Sequence, residues 1–195
     1  MESNIKIEPR NKFNNNELRD IHQLRAKIFK DRMGWEVPVL NGMEIDSYDA
    51  LNPYYMVIRN NTDHVCGCWR LLPTKGPYML KDTFPELLHG VLAPVSERVW
   101  ELSRFAIETD NNNHFGFAQC TMEAMRKIVT FADEKGIDKY VTVTTVAIER
   151  LLRHTGIDIL RFGAPLNIGK VRAVALEIYP GKKTRQALFH RISQA

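Results

Sequence analysis

Three carboxylates fall within six residues of this chain, at Glu44, Asp46 and Asp49. Acids this dense can hold a cation or an ammonium group, and they can equally be loop solvation or helix caps. Arg25 and Phe29 lie four apart on one face of a helix-periodic stretch, and Trp35 precedes the acids. A Trp, a Phe and carboxylates together suit a sulfonium or other cationic ligand. Taken singly, both rings read as core. A second charged pair interrupts the apolar run TrpGluLeuSerArgPheAlaIle (100–107). A charge amid such neighbours is a buried pair or part of a site, and a buried carboxylate is a candidate general base. Strict strand alternation points Glu101 and Arg104 to opposite faces unless a bulge intervenes.

Other chemistries find less support. Cys66-Gly67-Cys68 is half a metal site with no second Cys pair or nearby His to complete it, so no metal is expected. The chain has no nucleophile elbow, Walker A, H-E-x-x-H or G-x-G-x-x-G. Arg150, Arg153 and His154 share one helix face, and with Lys170 and Arg172 they suit an acidic surface. No aromatic residues interleave with these charges, which argues against nucleic acid as the partner.

The elements that must position these residues follow from periodicity. Ile5 and Ile7 alternate as a first strand, and Leu18, Ile21, Leu24 and Ile28 recur at helical spacing. Asn15 or Asn16 caps that helix and Gly34 ends it. Residues 35–53 show no sustained period and read as a long functional loop. Residues 54–59 and 65–72 form a hairpin around Asn60-Asn61, and residues 77–88 hold one or two short helical pieces. A strand at 99–107 precedes a helix from about Phe117 to Lys135, stopped by Gly136. Residues 140–146 are a strand, 148–154 a short helix and 171–178 a last strand. The order predicts a single α/β domain over residues 1–195 around a mixed sheet.

Composition agrees. A chain of 195 residues with 44% hydrophobic and 26% charged residues is an ordinary globular domain. No apolar run approaches the roughly 20 residues that cross a bilayer, so no stable membrane insertion is expected. The first residues hold no apolar signal core, and three cysteines make no disulfide framework, which points to the cytoplasm. Residues 1–60 balance nine Lys/Arg against nine Asp/Glu, whereas residues 149–195 hold nine Lys/Arg and three Asp/Glu. That asymmetry suggests an acidic partner.

The chain resembles the acyl-homoserine-lactone synthases, the LuxI-type autoinducer synthases of bacterial quorum sensing. The resemblance rests on Arg25, Phe29, Trp35, the stretch MetGluIleAspSerTyrAsp (43–49), Arg70 in CysTrpArgLeuLeuProThr, Phe84 in ThrPheProGluLeu, and GluLeuSerArgPhe (101–105). It runs from about residue 18 to about residue 178, and is greatest to the pseudomonad branch that makes long-chain 3-oxoacyl signals.

The resemblance implies an N-acetyltransferase-like (GNAT-type) three-layer fold. It implies two substrates, S-adenosylmethionine and a fatty acyl thioester on acyl carrier protein, and no separate cofactor. Glu101 is then the candidate base, acting through a water, and backbone groups of Ser103 to Phe105 receive the acyl carbonyl. Arg104 and Arg25 meet the ligand's carboxylate or pair with the acids. Asp46, Asp49, Trp35, Phe29, Arg70 and Phe105 surround S-adenosylmethionine. The acyl tunnel is assigned to Met79, Leu102, Met122, Met125, Thr142, Thr144, Ile148, Leu151 and Leu152. Thr144 is the candidate partner of a 3-oxo group, and Arg150, Arg153 and Lys170 form the carrier-protein dock. The rival on the same fold is an acyl-CoA-dependent N-acetyltransferase. Its [RQ]-x-x-G-x-[GA] phosphate loop would fall at residues 111–118, where no Arg or Gln opens the pattern. A non-catalytic binding module is the other alternative.

Overall fold

The chain alternates strands and helices from end to end in the computed structural model, which describes residues 4–108 and 114–189. Asn111–Asn113, read above as a polar run and as part of the rival's phosphate loop, lie outside the described residues. Contacts divide the chain into two compact units, Met1–Leu71 with Ser103–Thr121, and Leu72–Leu102 with Met122–Ala195.

In the first unit β1 (Asn4–Pro9) pairs antiparallel with β4 (Tyr54–Arg59), and β4 pairs antiparallel with β5 (Val65–Pro73). Helix α1 (Asn15–Arg25) lays Ile21 and Leu24 on this sheet, against Tyr55, Val57 and Cys68. Its cap is Asn14, one residue before those expected, because Asn14 and Glu17 complete a reciprocal capping box. The helix then widens into a π-helical segment, Ala26–Arg32. Met33 N–H reaches back five residues to the Ile28 carbonyl, and Trp35 N–H to that of Phe29. Wide turns of this kind recur at functional sites. The expected long loop holds two short strands, β2 (Val39–Leu40) and β3 (Met43–Glu44), and a 3₁₀ turn at Ser47–Leu51.

In the second unit the early part of β6 (Val99–Ile107) runs parallel to β7 (Lys139–Thr145), with Glu101 opposite Val141 and Leu102 opposite Thr142. Strand β10 (Val171–Ile178) pairs antiparallel with β7, with β8 (Ile159–Arg161) and with β9 (Leu166–Ile168). One sheet face packs on Tyr78, Leu80, Leu87 and Leu88, from α2 (Met79–Asp82) and its flanks. The other face meets α3 (His114–Lys135), where Tyr140 Oη–H donates to the Ile128 carbonyl at 2.9 Å. Helix α4 (Val146–His154) starts two residues earlier than expected, because Thr145 caps it and ends the strand. Helix α5 (Lys182–Phe189), β8 and β9 were not anticipated. The architecture is the expected α/β fold with a mixed sheet.

Candidate active site

The three loop acids of the first unit meet three arginines, each from a different element. Arg25 ends α1, Arg70 lies in β5 and Arg104 in β6. Glu44 has no solvent exposure and bridges two of them. Its Oε2 accepts Arg25 Nε–H at 2.5 Å, and its Oε1 accepts Arg104 Nε–H at 3.0 Å and Nη2–H at 2.9 Å. Asp49 accepts five donors: Arg25 Nη1 and Nη2, Arg70 Nη1, the Tyr55 hydroxyl and the Asp46 backbone N–H. Burial alone would raise the Asp49 pKa, but Arg25, Arg70 and Tyr55 outweigh it and hold the carboxyl far below its ordinary value of 3.8.

Asp46 differs from its neighbours. Its Oδ1 caps the 3₁₀ turn through Tyr48 N–H and accepts Arg70 Nη1–H at 2.5 Å. Its Oδ2 is buried and accepts no well-aligned hydrogen bond, although Arg104 Nη2 lies 3.0 Å away. Among the three acids this oxygen has spare capacity for a donor. The sequence left Arg25 and Arg104 between a ligand's carboxylate and fixed pairs with acids, and both are paired.

Above the charges stands an aromatic stack. Phe29 and Trp35 lie 5.4 Å apart at 28°, and the Arg104 guanidinium sits 5.4 Å from the Phe29 centroid. The wide π turn and the Trp35 N–H bond to the Phe29 carbonyl, at 2.9 Å, place Trp35 there.

A break in strand alternation delivers Arg104. Its φ is +58°, left-handed for a residue with a side chain, which costs roughly 1–2 kcal/mol. Ser103 Oγ accepts Arg70 Nε–H at 3.1 Å, yet the next residue, Arg104, reaches the same cluster. This is the bulge the sequence made conditional. Buried Cys68 sits at the break with its thiol directed at the Arg104 carbonyl, and burial pushes that thiol up to about 12. The break also moves Phe105, expected beside the charged ligand. Its ring packs 4.4 Å from Trp69 and 6.3 Å from Phe117. Trp69 and Arg70 point to opposite faces of β5, so Phe105 lies away from the cluster. Two further residues, His22 and Tyr55, support the acids; Tyr55 stands opposite Arg70 in register, a signal only pairing reveals.

In the second unit Glu101 is fully buried. Its Oε2 accepts Met79 N–H at 3.0 Å and its Oε1 accepts Leu80 N–H at 2.7 Å. The tunnel candidates fall on two sheet faces. Met79 stands on the Glu101 and Val141 side, whereas Leu102, Thr142 and Thr144 share the parity of Tyr140, which faces α3. Met125 and Leu152 are buried, while Met122, Ile148 and Leu151 are half-buried. Thr142 donates its hydroxyl proton to the Leu102 carbonyl at 2.7 Å. Among the described residues no partner takes the Thr144 hydroxyl.

The basic face is unequal. Arg153 Nε–H and Arg161 both donate to Glu149, a buried acid the sequence had not singled out. Arg150 and Lys170 are exposed, with no ion-pair partner among the described residues. Among the described residues no group of His, Cys, Asp or Glu has the arrangement of a metal site, and no helix is long and apolar enough to cross a membrane.

Comparisons with known proteins match this arrangement. The sequence model of a family described as autoinducer synthase matches residues 10–188. An acyl-homoserine-lactone synthase from Pseudomonas aeruginosa is 51% identical over 187 residues, 95% of this chain and 93% of that protein. The crystal structure of the AHL synthase LasI superposes with a TM-score of 0.91 at 50% identity, covering 97% of this chain and 95% of that one. TofI, solved with an inhibitor and MTA, superposes with a TM-score of 0.83 at 32% identity, covering 96% of each chain. A putative N-acetyltransferase from Lactobacillus plantarum, at 14% identity and a TM-score of 0.61, shares the fold; it covers 92% of this chain and 99% of its own.

Proposed function

This chain belongs to the autoinducer synthase family and is an acyltransferase, an acyl-homoserine-lactone synthase of quorum sensing, and from that premise we propose that its amine substrate is S-adenosylmethionine and its acyl donor a long-chain 3-oxoacyl thioester of acyl carrier protein. The observation that carries the amine substrate is the buried Asp46 Oδ2, an acceptor without a well-aligned donor beside the Phe29–Trp35 stack. A primary ammonium supplies the donor, and a sulfonium suits the aromatic faces.

The reaction has two steps. The methionine amine attacks the thioester carbonyl; the C–N bond forms, the C–S bond breaks, and the carrier leaves as its thiol. The methionine carboxylate then attacks its own γ-carbon, closes the lactone and expels neutral methylthioadenosine. The amine must first lose a proton, and Glu101 takes it through a water. Main-chain groups around the Arg104 break receive the carbonyl oxygen as charge builds on it. Arg25, Glu44, Asp49 and Arg70 act on substrate through Asp46 and Arg104. The second step needs chiefly the right substrate conformation, since the sulfonium already leaves well.

The unpartnered Thr144 hydroxyl supports a 3-oxo substituent, because a hydroxyl among apolar groups gains by finding an acceptor. Exposed Arg150 and Lys170 support an acidic carrier. The test incubates purified protein with S-adenosylmethionine and a panel of carrier thioesters and acyl-CoAs, with products read by mass spectrometry. Lactone formed with equimolar methylthioadenosine from a 3-oxoacyl carrier is expected. Turnover with acyl-CoA alone would remove the carrier and the role of the basic face. No turnover with any donor would leave a binding module.

A further inference from the structure

Helix α1 carries His22 three residues before Arg25, one turn away on the same face. The imidazole is buried, and its Nδ1 lies 3.0 Å from the backbone carbonyl oxygen of Glu44. A carbonyl only accepts, so this contact places a proton on Nδ1. The ring also stands edge-on to Tyr55, with centroids 6.1 Å apart at 89°, and Tyr55 donates to Asp49. Burial first, and then the Arg25 guanidinium, push the His22 pKa below 6.5 against the pull of Asp49 and Glu44. The neutral ring is thus favoured, with its one N–H spent on the Glu44 carbonyl.

Glu44 needs such a hold. It ends a two-residue strand whose partner, Val39–Leu40, is equally short, and so small a hairpin does not fix its own position. Its carboxylate must nevertheless meet Arg25 on one oxygen and Arg104 on the other. A shift of the Glu44 backbone would loosen Arg104 and alter its spacing to Asp46 Oδ2.

We propose that His22 is a positioning residue for the S-adenosylmethionine site: by donating from Nδ1 to the Glu44 carbonyl it fixes the carboxylate that aligns Arg104 beside Asp46. The inference rests on the reading that this cluster receives S-adenosylmethionine.

The test compares His22→Leu with His22→Asn. The two side chains have nearly the same shape, and only Asn keeps an N–H close to the Nδ1 position. Affinity for S-adenosylmethionine is measured by calorimetry, KM for each substrate by turnover, and folding by thermal melting. His22→Leu should weaken S-adenosylmethionine about ten-fold, the size of one lost buried hydrogen bond, with little change in KM for the acyl thioester. His22→Asn should recover most of that loss. Equal effects of Leu and Asn, or equal rises in both KM values, would overturn the role. Nitrogen NMR of the imidazole in the unaltered protein decides it without any variant, with the Nδ1–H neutral tautomer expected at pH 7. An Nε2–H tautomer or an imidazolium would overturn it even if neither variant folds. Asp46→Asn separates the underlying reading. If the unaltered protein binds no S-adenosylmethionine, or Asp46→Asn binds it equally well, the site itself fails and His22 loses this role with it. If Asp46→Asn weakens binding and His22→Leu does not, only the role of His22 fails.

Discussion

The two compact units treat polar groups in opposite ways. The first gathers Arg25, Arg70 and Arg104 with Glu44, Asp46 and Asp49, and leaves one carboxylate oxygen without a well-aligned donor. The second buries the carboxylate of Glu101 on the N–H groups of Met79 and Leu80, among apolar side chains, with two threonines on the far sheet face. Acids crossed by guanidiniums are committed to holding shape, because breaking any pair strands its partner. A carboxylate placed by main chain needs no cation to locate it. The first unit therefore suits a small charged substrate, and the second a long apolar one with little to recognise along its length.

Four substitutions break or sharpen this contrast. Glu101→Gln removes the carboxylate of the second unit at constant shape. Turnover should fall by about 10²- to 10⁴-fold, with the affinity for S-adenosylmethionine kept; wild-type turnover would show that Glu101 only supports α2. Asp49→Ala strands Arg25 and should cost about 3–5 kcal/mol of stability by denaturant titration. The sign with pH follows from the lowered pKa of Asp49. Its contribution is complete above the ordinary value of 3.8 and is lost as pH falls below it, and that acid sensitivity should be smaller in the variant. A variant as stable as the parent would mean the cluster is not structural. Thr144→Val should shift products toward chains without a 3-oxo group while the S-adenosylmethionine KM stays put; unchanged product ratios would assign that selectivity elsewhere. The smallest effect is expected from Arg150→Glu, a several-fold rise in KM for the carrier thioester alone. An equal rise for acyl-CoA would make the patch ordinary surface.

Much of this was legible in the residues. The strand at 99–107 was bounded to the residue because Trp, Leu, Phe and Ile fill it and polar loops flank it. The charged cluster was visible in its members, since Arg25, Asp46, Asp49, Arg70 and Arg104 all carried the family resemblance. Glu44 was noticed without its role, because bridging two arginines depends on pairing across the chain. Phe105 was misplaced for a related reason: one left-handed residue reverses the parity of all that follows, and sequence does not display φ. Strands β8 and β9 are three residues each, too short for alternation to register. The π segment kept an apolar spacing that an ordinary helix would also satisfy, so the extra width stayed hidden until its hydrogen bonds were seen.

The equal numbers of arginines and acids in the first unit set how a substrate can find it. Three positive and three negative groups packed within contact distance sum to nothing at about 8 Å, one screening length in physiological salt. No long-range field leads a small ion toward them, and S-adenosylmethionine must discover its place by collision. Arg150, Lys170 and Arg172, exposed and without ion-pair partners among the described residues, project a field that an acidic carrier feels before touching. One substrate is thus drawn from a distance and the other is recognised only on arrival.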